Sequence, residues 1–173
     1  SLFAGALARC LAIKRREPNP ERFFVSGLLH DVGRLVMLAA MPGPVLEIVR
    51  TAEQRHKPVY EVEREVLGYS HASVGRLLLV KWNLPESQRE AVFCHHIPLS
   101  AKKFPVEAAY MHMAEIATNV LRMGRSGDAI VPPIVPEAWR RLDLGLDALG
   151  ASMDEAAVQV KDLMMVFDVD KAE

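Results

Sequence analysis

Apolar residues recur at steps of three and four positions along most of the chain, which is the period of an α-helix. No segment alternates apolar and polar residues as a half-buried strand would. The pattern therefore predicts an all-α fold, a compact multi-helix bundle. Glycine and proline predict a loop over 124–136. The predicted helices cover about 1–17, 21–40, 45–56, 60–67, 71–82, 86–96 and 106–123, followed by a short helix from Pro136 and a last helix from Ser152.

Several helix ends are marked by residues that start helices. Asn19-Pro20-Glu21 combines a capping residue, a first-turn proline and an acid that suits the positive end of the helix dipole. The segment 21–40 that follows is so densely apolar that we expect burial on several sides. Ser70 can cap the helix predicted over 71–82, and Ser152 with Glu155 predicts a capping box for the last helix. An apolar stripe in that last helix predicts core packing and consists of Met153, Ala157, Val160, Met164 and Phe167.

Composition and charge limit the class of protein. Half of the 173 residues are hydrophobic and a quarter are charged, which is typical of a soluble globular protein, and we assign one domain to 1–173. The formal net charge of −1 gives no reason to expect binding to nucleic acid or membrane. No uninterrupted apolar run reaches about 18 residues, so we expect no membrane span. Cys10 and Cys94 are too few for a disulfide framework and indicate buried thiols in a reducing, cytoplasmic compartment.

Histidines and nearby carboxylates are the residues best suited to chemistry. Together they form a ligand set for a divalent metal, which can activate water for phosphoester hydrolysis. His30 and Asp31 are adjacent, so on a helix their side chains diverge by about 100°, yet both can reach a metal in a groove above that turn. The structural alternative is that buried histidines pair with carboxylates or carbonyls and hold helices together. The further candidates are His71, His95, His96 and His112.

Other polar and aromatic residues have simpler explanations. His112 and Glu115 are three positions apart on one predicted helix face, which predicts a local hydrogen bond. His56 lies in a polar run and is expected to be exposed. Trp82 and Trp139 are expected to anchor helix packing, because neither lies among the basic and aromatic residues of a nucleic-acid surface.

An ordered series of motifs resembles the HDOD family, the HD-related output domains of bacterial signalling proteins. The series is GLLHDVGRLV around His30 and Asp31, EREVLGYSHASVG with His71, WNLP, the doublet His95-His96, and MHMAEIA with Glu115. The tail, with GRSGD and EAW, is similar to the C-terminal part of that family. The resemblance implies an HD-domain-like helical bundle and a regulatory role beside other signalling domains.

The same resemblance implies an upstream helical half that this chain lacks. The first helix begins at Ser1 without a capping residue, and its positive charges follow the apolar stretch, the reverse of a secretory signal. We therefore expect the first helix and the Met/Leu faces to expose an apolar patch that a partner or the upstream segment covers.

The HD phosphohydrolases imply a ligand set that this sequence matches only in part. Their set is an upstream histidine, the HD doublet, further histidines and a late aspartate. The upstream histidine would fall at or before Ser1, and the tyrosine–proline signature of the cyclic-dinucleotide phosphodiesterases is not found. An incomplete set weakens a metal site steeply. The implied metal ligands are His30, Asp31, His71, and His95 or His96, with Glu115 in place of the aspartate and Arg34 near the phosphate.

Three functional hypotheses follow. The leading one is a non-catalytic, cytoplasmic signalling module without a cofactor, which acts through contacts with other signalling domains or proteins or as a homo-oligomer. The second is a metal-dependent phosphohydrolase acting on a nucleotide or cyclic dinucleotide, with Fe, Mn, Zn, Ni or Mg and with Asp31 and Arg34 as candidate catalytic residues. The third is a domain that binds a nucleotide without cleaving it.

Overall fold

The computed structural model describes residues 1–123 and 130–169, with side chains through residue 166. No strand occurs in this part of the chain, so the predicted all-α class is confirmed. Residues 130–135 are not helical, as predicted for the loop, while 124–129 lie outside the described residues. The helices are α1 (Leu2–Lys14), α2 (Glu21–Leu29), α3 (Val32–Ala40), α4 (Pro42–Arg55), α5 (Val59–Leu67), α6 (His71–Lys81), α7 (Glu86–Cys94), a 3₁₀ turn (Pro98–Ser100), α8 (Pro105–Val120), α9 (Pro136–Leu142) and α10 (Leu146–Val169).

Helix α1 is the buried centre of the bundle and contacts α2, α8 and α10. Its small and aliphatic residues, such as Leu7 and Leu11, are fully buried. Helix α2 crosses it closely, since a Cβ built on Gly27 would lie only 2.6 Å from the Cα of Gly5. The expectation that the first helix exposes an apolar patch is therefore wrong, because the other helices pack on it from several sides.

The segment predicted as one helix over 21–40 is divided into α2 and α3. The break falls at His30 and Asp31, where Asp31 has φ −98° and ψ 7°, outside the helical region. Burial on several sides is wrong for α3, because Leu35 is 68% exposed. By length and composition alone Glu21–Ala40 could cross a membrane. The break at His30 and Asp31 instead divides this segment into two nine-residue helices, each too short to span a bilayer.

Helices α3 and α6 cross at Gly33. A Cβ built there would lie 2.0 Å from the carbonyl oxygen of His71 and 2.6 Å from the backbone nitrogen of Gly75. Only a glycine permits this approach. Because Asp31 immediately precedes α3 and His71 begins α6, the crossing places these two side chains together.

The last helix, α10, begins at Leu146 and runs through Ser152. Ser152 is fully buried, and its hydroxyl has no hydrogen-bond partner among the described residues. Glu155 instead pairs with Lys14 of α1, with 2.5 Å between Nζ and Oε1. The predicted capping box is wrong because the helix starts earlier and packing against α1 determines where these side chains lie.

The predictions of core packing are confirmed for some residues and wrong for others. Trp139 packs against the core as expected, whereas Trp82 is 51% exposed and is not among the described residues that pack against the core. Met164 is half exposed, so its assignment to the core was wrong, and the side chain of Phe167 lies outside the described part of the chain. The stripe members that do pack against the core are Met153, Ala157 and Val160.

Candidate metal centre

The His30–Asp31 doublet lies where α2 ends and α3 begins. His30 is the C-cap residue of α2, and its Nδ1–H donates to the carbonyl oxygen of Gly27 at 2.7 Å. Because a carbonyl can only accept, a proton is on Nδ1, and Nε2 lies 3.2 Å from Asp31 Oδ2. Burial would lower the pKa of His30, but the Asp31 carboxylate outweighs it and raises that pKa. The other oxygen, Oδ1, lies 3.2 Å from Arg34 Nε and 3.2 Å from His71 Nε2. Arg34 is thus beside the doublet.

His71 is held at the start of α6 by an acid from α5. Oε2 of Glu63 accepts two hydrogen bonds from it, one from the backbone N–H at 2.8 Å and one from Nδ1–H at 2.7 Å. Ser70 occupies the N-cap position as predicted, but its side chain makes no capping hydrogen bond. Glu63 therefore caps α6 and also leaves Nε2 of His71 turned toward Asp31 and His96.

His95 and His96 follow the end of α7. His95 is the C-cap residue and repeats the geometry of His30, because its Nδ1–H donates to the carbonyl oxygen of Val92 at 2.5 Å. His96 stacks on the ring of Tyr60, with centroids 4.1 Å apart and planes 12° apart. Its Nε2 lies 2.9 Å from Nε2 of His71.

The candidate residues meet in one buried cluster. The ring centroids of His95 and His96 are 3.8 Å apart, those of His71 and His96 4.9 Å, and those of His30 and His95 5.3 Å. One nitrogen from each of His71, His95 and His96 lies within 4.8 Å of the other two. Glu115 reaches the cluster from α8, with Oε2 3.2 Å from His96 Nδ1 and 3.9 Å from His95 Nε2. The sequence-predicted ligands are therefore close enough to act together.

Burial and charge together set the protonation states of the cluster. Burial, with the neighbouring imidazoles, holds the pKa values of His95 and His96 well below the usual histidine range, so both rings are neutral. Burial would raise the pKa of Asp31, but the Arg34 guanidinium and His30 outweigh it and hold that pKa well below its usual range. The neutral rings of His95 and His96 and the ionised Asp31 are therefore in the forms that bind metal. For His30 and His71, burial is outweighed by the neighbouring carboxylates, which raise both pKa values, and these two rings bind metal only after losing a proton.

The donor atoms fit a divalent metal ion. Four buried donor atoms of the cluster have no assigned hydrogen bond among the described residues, namely Asp31 Oδ1, His95 Nε2, His96 Nδ1 and Glu115 Oε2. Asp31 Oδ1 nevertheless lies 3.2 Å from the positive charge of Arg34. An unsatisfied buried polar atom costs roughly 1–3 kcal/mol, so their convergence calls for a positive partner. Imidazole donors suit Zn, Fe or Ni more than Mg, and carboxylates also admit Mn. A bound metal would supply Lewis acidity toward water or a phosphoryl oxygen.

A groove of about 540 Å³ opens onto one side of the cluster. It reaches His30, Asp31, Glu63 and Glu115, whereas His71 is fully buried and does not line it. No phenyl, phenol or indole ring occurs among the described residues that line it. Its aliphatic walls come mainly from α3 and α4 and include Leu35, Leu38, Val45, Leu46 and Val49.

His112 is structural, and its predicted partner was wrong. Its Nδ1–H donates to the carbonyl oxygen of His95 at 2.8 Å, and its Nε2 accepts from the backbone N–H of Val135 at 3.0 Å. Both ring nitrogens are occupied, so His112 cannot serve as a ligand and does not bond Glu115. It fixes the end of α7, and therefore the position of His95, against α8. His56 is exposed, as predicted.

The sequence did not predict that Glu63 contacts a candidate ligand. In the sequence it is only the first residue of the motif that contains His71. Its two hydrogen bonds to His71 span eight positions and depend on how the α5–α6 connection folds. The available signal was its place on the apolar face of α5, four positions from both Val59 and Leu67, where Glu63 is only 3% exposed.

Comparison with known proteins places these features in a family. The HDOD domain family model matches residues 1–98 of this chain. A solved HDOD domain protein of unknown function from Geobacter sulfurreducens is 21% identical, with a TM-score of 0.75 over 93% of this chain and 58% of its own. A protein from Marinobacter aquaeolei, provisionally named a signal transduction protein, is 19% identical, with a TM-score of 0.74 over 100% of this chain and 39% of its own. One from Shewanella amazonensis, provisionally named a phosphohydrolase, is 23% identical, with a TM-score of 0.66 over 90% of this chain and 56% of its own. These likenesses show the fold, and the chain spans well under two thirds of each protein's length.

Proposed function

The chain belongs to the HDOD family, and we propose that it is a regulatory module of bacterial signal transduction whose histidine cluster holds one divalent metal ion without turnover. The observation that supports the metal is the convergence of buried, unsatisfied donor atoms from Asp31, His95, His96 and Glu115. Rings already oriented by hydrogen bonds through Nδ1 are the usual arrangement of metal-binding histidines. This changes the sequence-based hypothesis of a module without a cofactor.

Two features support a non-catalytic role for the metal. His71 and His95 are fully buried and do not line the groove, so these two ligands are out of direct contact with a substrate bound there. Arg34 Nε lies 3.2 Å from Asp31 Oδ1, so a fixed positive charge shares this carboxylate with the proposed metal and reduces the negative charge available to it. A metal in this position would instead hold the ends of α2, α6 and α7 together.

Exposed apolar side chains support action through contacts with other signalling domains or proteins. Leu35 on α3 and Leu77 on α6 are each more than two thirds exposed, and Trp82 at the end of α6 is half exposed. Large apolar side chains on neighbouring helices are typical of surfaces that bind partners or a second copy. The buried, unpaired thiols of Cys10 and Cys94 agree with a cytoplasmic location.

Elemental analysis tests the metal proposal directly. Protein purified without chelator is expected to carry about one Zn, Fe, Mn or Ni per chain, and after chelation added metal should raise Tm with increasing concentration. Asp31→Ala should weaken binding, whereas Glu65→Ala, which removes an exposed acid on α5, should not. Protein that stays metal-free after metal is added back would leave the histidines with a purely structural role. Metal-dependent phosphoester hydrolysis at ordinary enzyme rates would overturn the non-catalytic assignment.

A phosphohydrolase is the second candidate, favoured by the opening of the groove onto His30 and Asp31. A phosphate in the groove would lie near Arg34, and Asp31 would help to hold the metal. Asp31→Ala should then abolish hydrolysis of nucleotides or cyclic dinucleotides and leave the helical circular dichroism unchanged. Loss of folding together with loss of activity would leave the catalytic role unsupported. Nucleotide sensing is less favoured, because the lining offers no phenyl, phenol or indole ring for a base to stack on, and a flat calorimetric response to a nucleotide panel would exclude it.

A further inference from the structure

The start of α6 is capped by a distant acid and not by the residue at the N-cap position. Ser70 stands at that position without a side-chain hydrogen bond, and Oε2 of Glu63 accepts from the backbone N–H of His71 at 2.8 Å. The same oxygen accepts from Nδ1–H of that residue at 2.7 Å. One carboxylate oxygen therefore fixes both the backbone and the ring of His71.

We propose that Glu63 is a positioning residue that holds His71 in the form whose Nε2 faces the cluster. This inference rests on the proposed metal site, since Nε2 of His71 is the nitrogen that points toward Asp31 Oδ1, at 3.2 Å, and His96 Nε2, at 2.9 Å. Oε2 of Glu63 is occupied by the two N–H groups of His71, so this oxygen acts on the metal through that ring.

The geometry requires a specific proton on His71. A carboxylate oxygen accepts hydrogen bonds, so the 2.7 Å contact places a proton on Nδ1. A negative charge at that side of the ring also makes the opposite nitrogen more electron-rich. His30 and His95 obtain the same orientation from the backbone carbonyls of Gly27 and Val92. His71 begins its helix, where the free backbone groups are N–H donors and cannot accept a hydrogen bond from Nδ1–H. The carboxylate of Glu63 therefore accepts that bond, as backbone carbonyls do for His30 and His95.

A role limited to helix capping would give different results. If Glu63 only capped α6, replacing it would lower stability and leave the ligand field and affinity of the metal unchanged. If it positions His71, Glu63→Ala should reduce metal affinity about 10- to 100-fold, the range found for such outer partners. Glu63→Gln retains the size and one accepting oxygen but removes the charge, so its loss of affinity should be smaller.

The experiment uses Co²⁺ as the probe, added to chelator-treated protein. The visible absorption of bound Co²⁺ reports the ligand set, and titration gives its affinity. Glu65→Gln is the matched control, because Glu65 lies two positions away on α5 but is exposed and pairs with Lys57 and Arg55. We expect an altered Co²⁺ spectrum and weakened binding for the Glu63 variants and wild-type values for the control. If Glu63→Gln and Glu63→Ala both bind Co²⁺ with the wild-type affinity and give the wild-type spectrum, the positioning role is wrong, although the metal site itself is supported.

A second measurement needs no metal. In metal-free wild-type protein, NMR should show a slowly exchanging proton on His71 Nδ1, because that group is buried and bonded to Glu63, and this signal should shift or vanish in Glu63→Gln. A His71 ring without a proton on Nδ1, or a signal unaffected by the substitution, would contradict the inference. If the wild-type chain takes up no Co²⁺, the proposed metal function fails, and the NMR result still decides whether Glu63 positions His71.

Discussion

Replacing Gly33 by alanine tests whether the close crossing of α3 and α6 sets the geometry of the cluster. The added Cβ would lie 2.0 Å from the carbonyl oxygen of His71 and 2.6 Å from the backbone nitrogen of Gly75. Gly33 does not have a positive φ, so alanine fits its backbone conformation and the penalty is steric. The contacted atoms belong to the backbone of α6 and cannot rotate away.

The size of the effect follows from that contact. The two helices must separate by about 1 Å before the Cβ–oxygen distance reaches 3.0 Å. Overpacking of this kind costs about 1–3 kcal/mol, and we expect the upper end because backbone must move. Alanine returns up to about 1 kcal/mol through its better helix propensity. The net loss in the free energy of unfolding is therefore about 2 kcal/mol, which for a chain of this size lowers Tm by about 4–8 °C.

Urea unfolding followed by circular dichroism measures this loss. The matched control is Gly150→Ala, since nothing lies within 4 Å of the added Cβ in α10, and there alanine should stabilise by about 0.5–1 kcal/mol. Separation of the helices also moves Asp31 away from His71, so the Gly33 variant should bind Co²⁺ more weakly than the control. A Gly33→Ala protein with a wild-type or higher midpoint and an unchanged m-value would refute the steric argument.

Three further predictions concern the rest of the bundle. Ser152→Ala removes a buried hydroxyl that has no hydrogen-bond partner among the described residues. It should raise the free energy of unfolding, measured by urea melts, by about 1 kcal/mol. A lower free energy of unfolding would contradict this. Burial raises the pKa values of the Cys10 and Cys94 thiols, so less thiolate forms at any pH below those values, and iodoacetamide should label the native protein far more slowly than the unfolded chain. Rapid labelling of the folded protein would contradict this. Acrylamide should quench the fluorescence of Trp82, which is half exposed, more strongly than that of Trp139, as measured in the two single-tryptophan variants.

Helix ends could be predicted where a single residue determines the backbone. Gly68 ends α5 with φ +80°, in the left-handed region that glycine adopts readily, and Pro136 begins α9 as its first residue. Pro85 likewise immediately precedes α7. These signals act within one turn, so they do not depend on how the helices later pack.

Predictions failed where packing over long distances decided the outcome. Ser152 and Glu155 have the spacing of a capping box, but α10 continues upstream because its face is buried against α1. The break at His30 and Asp31 could not be predicted because no local signal marks it. The apolar period continues through it, and neither a proline nor a glycine lies at the break itself. Tertiary contacts override such local preferences.

The arrangement of the cluster follows from a simple property of helix ends. A helix leaves its last carbonyls unpaired, and His30 and His95, each at a C-cap, donate Nδ1–H to the carbonyl three residues earlier. Each ring is thereby anchored by its own helix, and its Nε2 faces the cluster. The fold then only has to bring the ends of α2 and α7 together. His71 begins a helix and cannot use this local device, so its orientation depends on Glu63 from another helix. Of the three anchored ligands, His71 is therefore the one whose orientation a single side-chain substitution can remove.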